Sequence, residues 1–164
     1  MNGMSKLQLF FLNCKYLNKK LGIVPLMYGS LGLEYIAEKS LNADDIDILI
    51  PDVFLQEKWP EMRECLALDG YTLVDEHEHT FEKDGVYFSY AGIENLEPFA
   101  GIGMDEIKRY DEQGAFFMLL SLQQYLKVYQ SSIKDGYRVN ERGKKDQEKI
   151  DFILAHLSLS NEMQ

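Results

Sequence analysis

Tyr28-Gly29-Ser30 and, after a spacer of fourteen residues, Asp45-Ile46-Asp47-Ile48 are the two stretches on which the reading of this chain turns. In a β-strand successive side chains point to opposite faces. Asp45 and Asp47 therefore share one face, roughly 7 Å apart at Cα, while Ile46 and Ile48 point into a core. Two carboxylates held that way repel each other unless a cation neutralises them. Mg²⁺ takes one or two protein carboxylates and completes its octahedron with water and phosphate oxygens, so a magnesium-bound nucleotide is the natural third party. Asp44 competes for the register, but only Asp45 shares a strand face with Asp47.

Outward from this pair the chain reads as alternating elements. Leu7, Phe10, Phe11, Cys14 and Leu17 recur at helical spacing, which predicts a helix over residues 4–20 ended by Gly22. A short apolar strand over 23–28 runs into the Gly29-Ser30 turn, and a short helix over 31–38 follows. The second strand, 45–50, stops at Pro51, and the pattern from Val53 to Leu68 predicts a loop and then a helix closed by Asp69-Gly70. Three short strands follow at 71–74, 80–83 and 86–91, the last two joined by Asp84-Gly85, a strong two-residue hairpin signal. Residues 92–114 are Gly-rich and read as irregular, and 115–120 as one more strand. Ser121 with Gln124 forms a capping box that opens a helix to about residue 132, and a final helix spans roughly 142–157. The expected architecture is α+β: a small mixed β-sheet core over residues 1–120, with a C-terminal helical extension over 121–164 packed on it as one compact unit.

Composition narrows the function. With 164 residues, 46% of them hydrophobic, the chain is long enough and apolar enough for a proper core. The N-terminus lacks a continuous apolar leader and no run reaches membrane-spanning length, so a cytoplasmic protein is expected. Cys14 and Cys65 show no paired spacing and read as reduced thiols. A net charge of −10 argues against a bulk nucleic-acid binder. The charge is uneven: residues 22–133 carry the acid excess, whereas 134–149 are basic. A metal site in one half, receiving phosphates steadied by the other, suits that split.

Gly29-Ser30, the spacer and Asp45-Ile46-Asp47 resemble the Gly-Ser and Asp-x-Asp pattern of the nucleotidyltransferase superfamily. That superfamily includes polymerase-beta-like enzymes, aminoglycoside nucleotidyltransferases and the small toxin-type enzymes of bacterial defence systems. Leu120-Ser121-Leu122-Gln123-Gln124-Tyr125-Leu126-Lys127, with Arg142 and Lys144-Lys145-Asp146, is similar to the helical segment of the toxin-type members and related uncharacterised proteins. The resemblance implies that Asp45 and Asp47 are catalytic and hold Mg²⁺ or Mn²⁺. It implies also that Gly29 and Ser30 cradle the terminal phosphates of a nucleoside triphosphate, with Lys127, Arg142 or Lys145 as helical phosphate contacts. Taken one at a time, the three basic residues are more simply surface charges.

Active members carry a third carboxylate on a later strand, and here Ser89 occupies the expected place, with Glu82, Glu94 and Glu97 as the nearby acids. The leading expectation is transfer of a nucleoside monophosphate to a hydroxyl acceptor: a small molecule, a protein side chain or a tRNA end. The alternative is a catalytically weak nucleotide-binding or regulatory module of the same fold. A third reading rests on Glu76-His77-Glu78-His79, where two imidazoles on one strand face would serve a zinc-dependent hydrolase, although a polar turn is the plainer interpretation.

Overall fold

The computed structural model describes residues 4–134 and 141–162, the side chains of 141–143 and 160–162 excepted. Helix α1, Lys6–Leu21, begins where Ser5 Oγ accepts the Gln8 N–H and Gln8 Oε1 accepts the Ser5 N–H, and it ends at Gly22, which takes the left-handed conformation with φ 66°. Strand β1 is Leu26–Tyr28, helix α2 Gly29–Ala37 and strand β2 Ile46–Ile50. A short 3-10 turn over Asp52–Leu55 leads into α3, Trp59–Leu68. Strands β3 (Thr72–Asp75), β4 (Thr80–Lys83) and β5 (Val86–Gly92) form a meander, followed by α4, Leu96–Ala100. Strands β6 (Lys108–Glu112) and β7 (Ala115–Leu119) form a hairpin, and helices α5 (Leu122–Lys134) and α6 (Glu141–Glu162) complete the chain.

Among the described residues seven strands join one mixed sheet in the order β3-β4-β5-β2-β1-β7-β6. β2 runs antiparallel to β1 and parallel to β5, while β1 runs parallel to β7. The α+β class expected from the sequence is the one observed. One strand differs: β6 lies within the stretch read as irregular. Its Lys-Arg-Tyr-Asp-Glu sequence is polar because it is an edge strand, exposed except at Tyr110, which stacks on Phe117 at 5.7 Å. The turn that pairs it to β7 is Gln113-Gly114, with φ 54° and 82°, the same doubly positive turn that Asp84-Gly85 makes between β4 and β5.

The register assigns each sheet face. Phe81, Phe88 and Ile46 lie side by side in one row across β4, β5 and β2, and all three are fully buried. Asn13 of α1 donates to the Tyr90 hydroxyl at 2.7 Å, and Phe10 and Phe11 of α1 pack against Phe117, so α1 covers this face. The row one residue over consists of Thr80, Ser89, Asp47 and Tyr28 and faces the other way. That second face is apolar and buried at Leu26, Leu49 and Met118 and polar at Asp47, Ser89 and Thr80.

Helix α5 is held above the open face by two hydrogen bonds, one from the Gln124 side-chain amide to the Glu106 carbonyl at 2.8 Å and one to β1. The Tyr125 hydroxyl donates to the Met27 carbonyl of β1, passing directly over Gly32 of α2. A Cβ at position 32 would collide with both the hydroxyl and the carbonyl oxygen. Capping proceeds as the sequence predicts, with Gln124 N–H donating to Ser121 Oγ at 3.1 Å and Ser121 N–H to Gln124 Oε1 at 2.9 Å. Gly32→Ala is expected to destabilise the fold by about 1–3 kcal/mol, because one of the two colliding groups is backbone and cannot swing away. Chemical denaturation of the two proteins measures the difference.

Burial also sets an alkaline limit. Desolvation pushes the Cys14 thiol up from 9.0 to about 12 against the opposing pull of the Asn18 hydrogen bond and nearby Lys15, and raises the Tyr71 phenol from 10.0 to about 12. The core holds the neutral forms, so their share of stability is intact below about pH 9 and is lost as pH climbs toward 12. Thermal melting should be flat from pH 7 to about 9 and fall steeply above that, and Cys14→Ala should push the onset of the fall upward.

Candidate functional site

The open sheet face, the start of α2 and the inner sides of α5 and α6 enclose a cleft of about 1090 Å³. Its floor includes the row Thr80, Ser89, Asp47 and Tyr28. Asp47 thus sits on the central strand between Tyr28 on one neighbour and Ser89 on the other, and Thr80 and Ser89 hydroxyls hydrogen-bond at 2.8 Å. Asp45 precedes β2 at a bend, is exposed, and lines the same cleft. Asp44 is exposed and is not among the lining residues. Ile46 and Ile48 are buried, Ile46 in the row with Phe81 and Phe88 on the face that α1 covers.

Gly29 and Ser30 line the cleft beside Asp47. Gly29 has φ 62°, and a Cβ there would lie 2.6 Å from Asp47 Oδ2 and 3.3 Å from Asp47 Cβ. Glycine is needed twice over, for a left-handed backbone and for a space that the carboxylate occupies. Gly29 and Ser30 are also the first two residues of α2, whose leading N–H groups have no partner within the helix. The bend, the helix start and the carboxylate therefore meet at one place.

The helical wall carries the positive charge. Lys145 and Lys149 of α6 line the cleft, with Lys149 Nζ 5.4 Å from the centre of the Tyr129 ring. Lys127 is exposed on α5 and is not among the lining residues. At 100° per residue it lies on the far side of that helix from Tyr125, Val128, Tyr129 and Ser132, the residues that face inward. The Arg142 side chain lies outside the described residues. Carboxylates outnumber lysines in the cleft: Asp52, Glu78 and Asp146 join Asp45 and Asp47.

Two lining residues, Asp146 and Tyr129, have no site role assigned from the sequence. Asp146 is buried with 5% exposure and accepts the Ser132 hydroxyl at 2.7 Å. Tyr129 is buried beside it, and burial, followed by the nearby Tyr28, Asp146 and Asp47, raises its phenol well above the ordinary value. The phenol is neutral at any working pH. The available signal for Asp146 was its position four and seven residues before Ile150 and Ile153, a charged residue on the apolar stripe of α6.

Two expectations about acids and metals resolve differently. Glu82 caps its own hairpin by accepting the Gly85 N–H at 2.9 Å, Glu94 accepts the Asp52 N–H at 2.9 Å, and Glu97 is exposed on α4. None of the three lines the cleft, and Ser89 is the β5 residue in register with Asp47. Residues 76–79 are not extended: they form the β3–β4 turn, with Glu78 N–H on Asp75 Oδ1 and His79 at φ 51°. His77 is almost fully exposed at the cleft rim, whereas the His79 ring packs edge-on against Trp59 at 4.8 Å. Among the described residues no group of three His, Cys, Asp or Glu side chains is placed to hold a metal ion, which removes the basis for a zinc site at this turn.

This fold is nucleotidyltransferase-like. The antibiotic-resistance factor ANT(2'')-Ia, an aminoglycoside nucleotidyltransferase, superposes with a TM-score of 0.56 over 98% of this chain and 96% of its own, at 13% identity. The chain belongs to the family of the uncharacterized protein YnaI of Bacillus subtilis (strain 168), with which it is 42% identical over 144 residues, 87% of this chain and 92% of that protein. No family model matches it. Among the described residues no helix is long and apolar enough to cross a membrane.

Gly29→Ala should cost about 1–3 kcal/mol, since the positive φ and the contact with Asp47 each penalise a Cβ. Pairing it with Asp47→Ala in a double-mutant cycle should recover part of that loss. Additive losses would show that the two positions do not press on each other.

Proposed function

We propose that this protein transfers a nucleoside monophosphate from a nucleoside triphosphate to a hydroxyl acceptor, in a reaction that depends on Mg²⁺ or Mn²⁺. The observation that carries the proposal is the seating of Asp47 against Gly29, which brings a carboxylate and the start of α2 to the same corner of the cleft.

The residues fit a divalent ion. Asp45 and Asp47 open onto one cleft, and a cleft with five carboxylates and two lysines would repel a triphosphate unless a cation accompanied it. Two protein carboxylates suffice for an ion that keeps water and phosphate oxygens as its other ligands. When bound, the metal neutralises phosphate charge and lowers the pKa of an attacking hydroxyl. The N–H groups at the start of α2 and the Ser30 hydroxyl receive the terminal phosphates, and Lys145 and Lys149 face them from α6. The volume accommodates a nucleotide with room for an acceptor, given that ligand pockets typically enclose about 300–1,000 Å³. The net charge disfavours bulk DNA or RNA as acceptor, leaving a small molecule, a protein side chain or a tRNA end. No segment invoked here requires a membrane, and a cytoplasmic setting supplies both nucleotide and Mg²⁺.

Ser89 favours a second reading, a nucleotide-binding or regulatory module with little turnover, because β5 brings no carboxylate beside Asp47. Calorimetry and pyrophosphate release separate the two. Wild-type protein should bind a nucleoside triphosphate only with Mg²⁺ present, and Asp45→Asn or Asp47→Asn should each weaken binding at least about 100-fold, the upper end of what losing even an indirect metal partner costs. Pyrophosphate release selects the transferase, whereas binding without release selects the module. Metal-independent binding, or binding indifferent to both substitutions, would remove the metal site from the account.

A further inference from the structure

We propose that strand β6 is a docking edge for a second copy of this chain, the two β6 strands pairing antiparallel about Tyr110. The pairing is independent of the transferase reading, because no residue of β6 or β7 lines the cleft.

Among the described residues no strand lies beyond β6, and its residues Lys108–Glu112 keep an unbroken register with β7. The opposite edge, β3, is different. Its register shifts between Leu73 and Asp75, the kind of irregularity that keeps an edge from pairing with another chain. Charges on β6 discourage pairing with an arbitrary strand, yet their order, Lys108-Arg109-Tyr110-Asp111-Glu112, is complementary to itself when reversed. With two copies set end for end, Lys108 faces Glu112, Arg109 faces Asp111, and Tyr110 faces Tyr110.

Backbone direction restricts the registers available. Gln113-Gly114 is a two-residue turn, so Glu112 and Ala115 exchange hydrogen bonds. Alternation then commits the backbone groups of Lys108, Tyr110 and Glu112 to β7 and turns the N–H and C=O of Arg109 and Asp111 toward the free edge. A second β6 pairs by setting its own outward residues against these. Arg109 opposite Arg109, or Asp111 opposite Asp111, would place like charges face to face. The register centred on Tyr110 sets Arg109 against Asp111 at both ends and lets each pair exchange main-chain hydrogen bonds.

The side chains are available for that register. Arg109 and Asp111 are exposed, and among the described residues neither forms an ion pair within its own chain. Lys108 Nζ lies 5.3 Å from the centre of the Tyr110 ring. Beside Asp111, Phe116 is 52% exposed, apolar surface that the long side chain of Arg109 from the second copy would cover. Each copy carries a net charge of −10, so two copies repel at long range and the pairing is weak and reversible.

Sedimentation equilibrium of the full chain, from roughly ten micromolar to one millimolar, reads the association. Wild-type protein should pass reversibly from monomer to dimer within that span. Arg109→Asp and Asp111→Arg should each weaken self-association at least about tenfold, since each replaces attractive cross-strand pairs by repulsive ones. Asp111→Arg is the sharper variant, because it makes the chain less acidic, which by itself would favour association. The two variants mixed should dimerise with each other at least as tightly as wild type, every 109–111 pair in the mixed dimer being again opposite in sign. Recovery there also shows that both variants are folded at this edge. The double swap, Arg109→Asp with Asp111→Arg, should return the wild-type constant within about threefold. Wild-type protein that stays monomeric throughout overturns the proposal. So do single variants that self-associate as wild type does, or a mixture that fails to pair, either of which would place the contact on another surface.

Discussion

The Asp47 carboxylate lies where a side chain at position 29 would begin, and the rest of the site depends on that exclusion. Gly29 must be glycine for the chain to leave β1, bend with positive φ and start α2 in immediate contact with β2. Because Tyr28 pairs with Asp47 across the two strands, the bend cannot slide along the sheet without dragging the carboxylate from its neighbours. A register shift of one residue would turn Asp47 into the core and bring Ile46 or Ile48 into the cleft. The buried row of Phe81, Phe88 and Ile46 forbids that shift, since it would expose large apolar side chains. Core packing and site geometry are thus one constraint seen from two faces of the sheet.

Helices α5 and α6 give the open face its depth. The Tyr125 hydroxyl reaches through the space above Gly32 to the backbone of β1, which ties α5 to the strand that ends at the Gly-Ser bend. Once α5 is held there, Tyr129 and Ser132 follow at one and two turns, and α6 packs against them with Lys145, Asp146 and Lys149 toward the cleft. The cleft combines acid on the floor with both acid and base on the wall. Five carboxylates against two lysines would favour a polyanion accompanied by a cation, which is the electrostatic reason for proposing a metal–nucleotide pair at this site.

Much of this was legible in the sequence because local signals carried it. Ser121 with Gln124, Asp84-Gly85 and the Ile46/Ile48 alternation each specify a cap, a turn or a strand face within a few residues, and each forms as expected. The rest was not local. Strand β6 carries charged side chains because it lies at a sheet edge, and it pairs through Gln113-Gly114, a weaker turn signal than Asp84-Gly85. The His77 and His79 segment reads more plainly as a polar turn than as a strand, and it is the β3–β4 pairing that closes it as that turn. Asp146 could be recognised only as a charge on an apolar stripe, and its partner Ser132 comes from another helix. Lys127 and Lys145 look alike in sequence, yet helical phase sends the first to solvent and the second to the cleft.

The resulting picture is a nucleotidyltransferase-like fold in which β2 and the bend before it contribute two acids, the start of α2 a glycine turn, and the C-terminal helices two lysines and a buried acid. A crystal of the protein grown with Mn²⁺ and a non-hydrolysable nucleoside triphosphate, with anomalous scattering recorded for the metal, tests it at the atom level. The account predicts a manganese peak about 2.0–2.3 Å from carboxylate oxygens of both Asp45 and Asp47, with the terminal phosphates against the N–H groups of Gly29 and Ser30. A peak bound elsewhere, such as at the His77–Glu78 turn, or phosphates seated away from the bend, would contradict it.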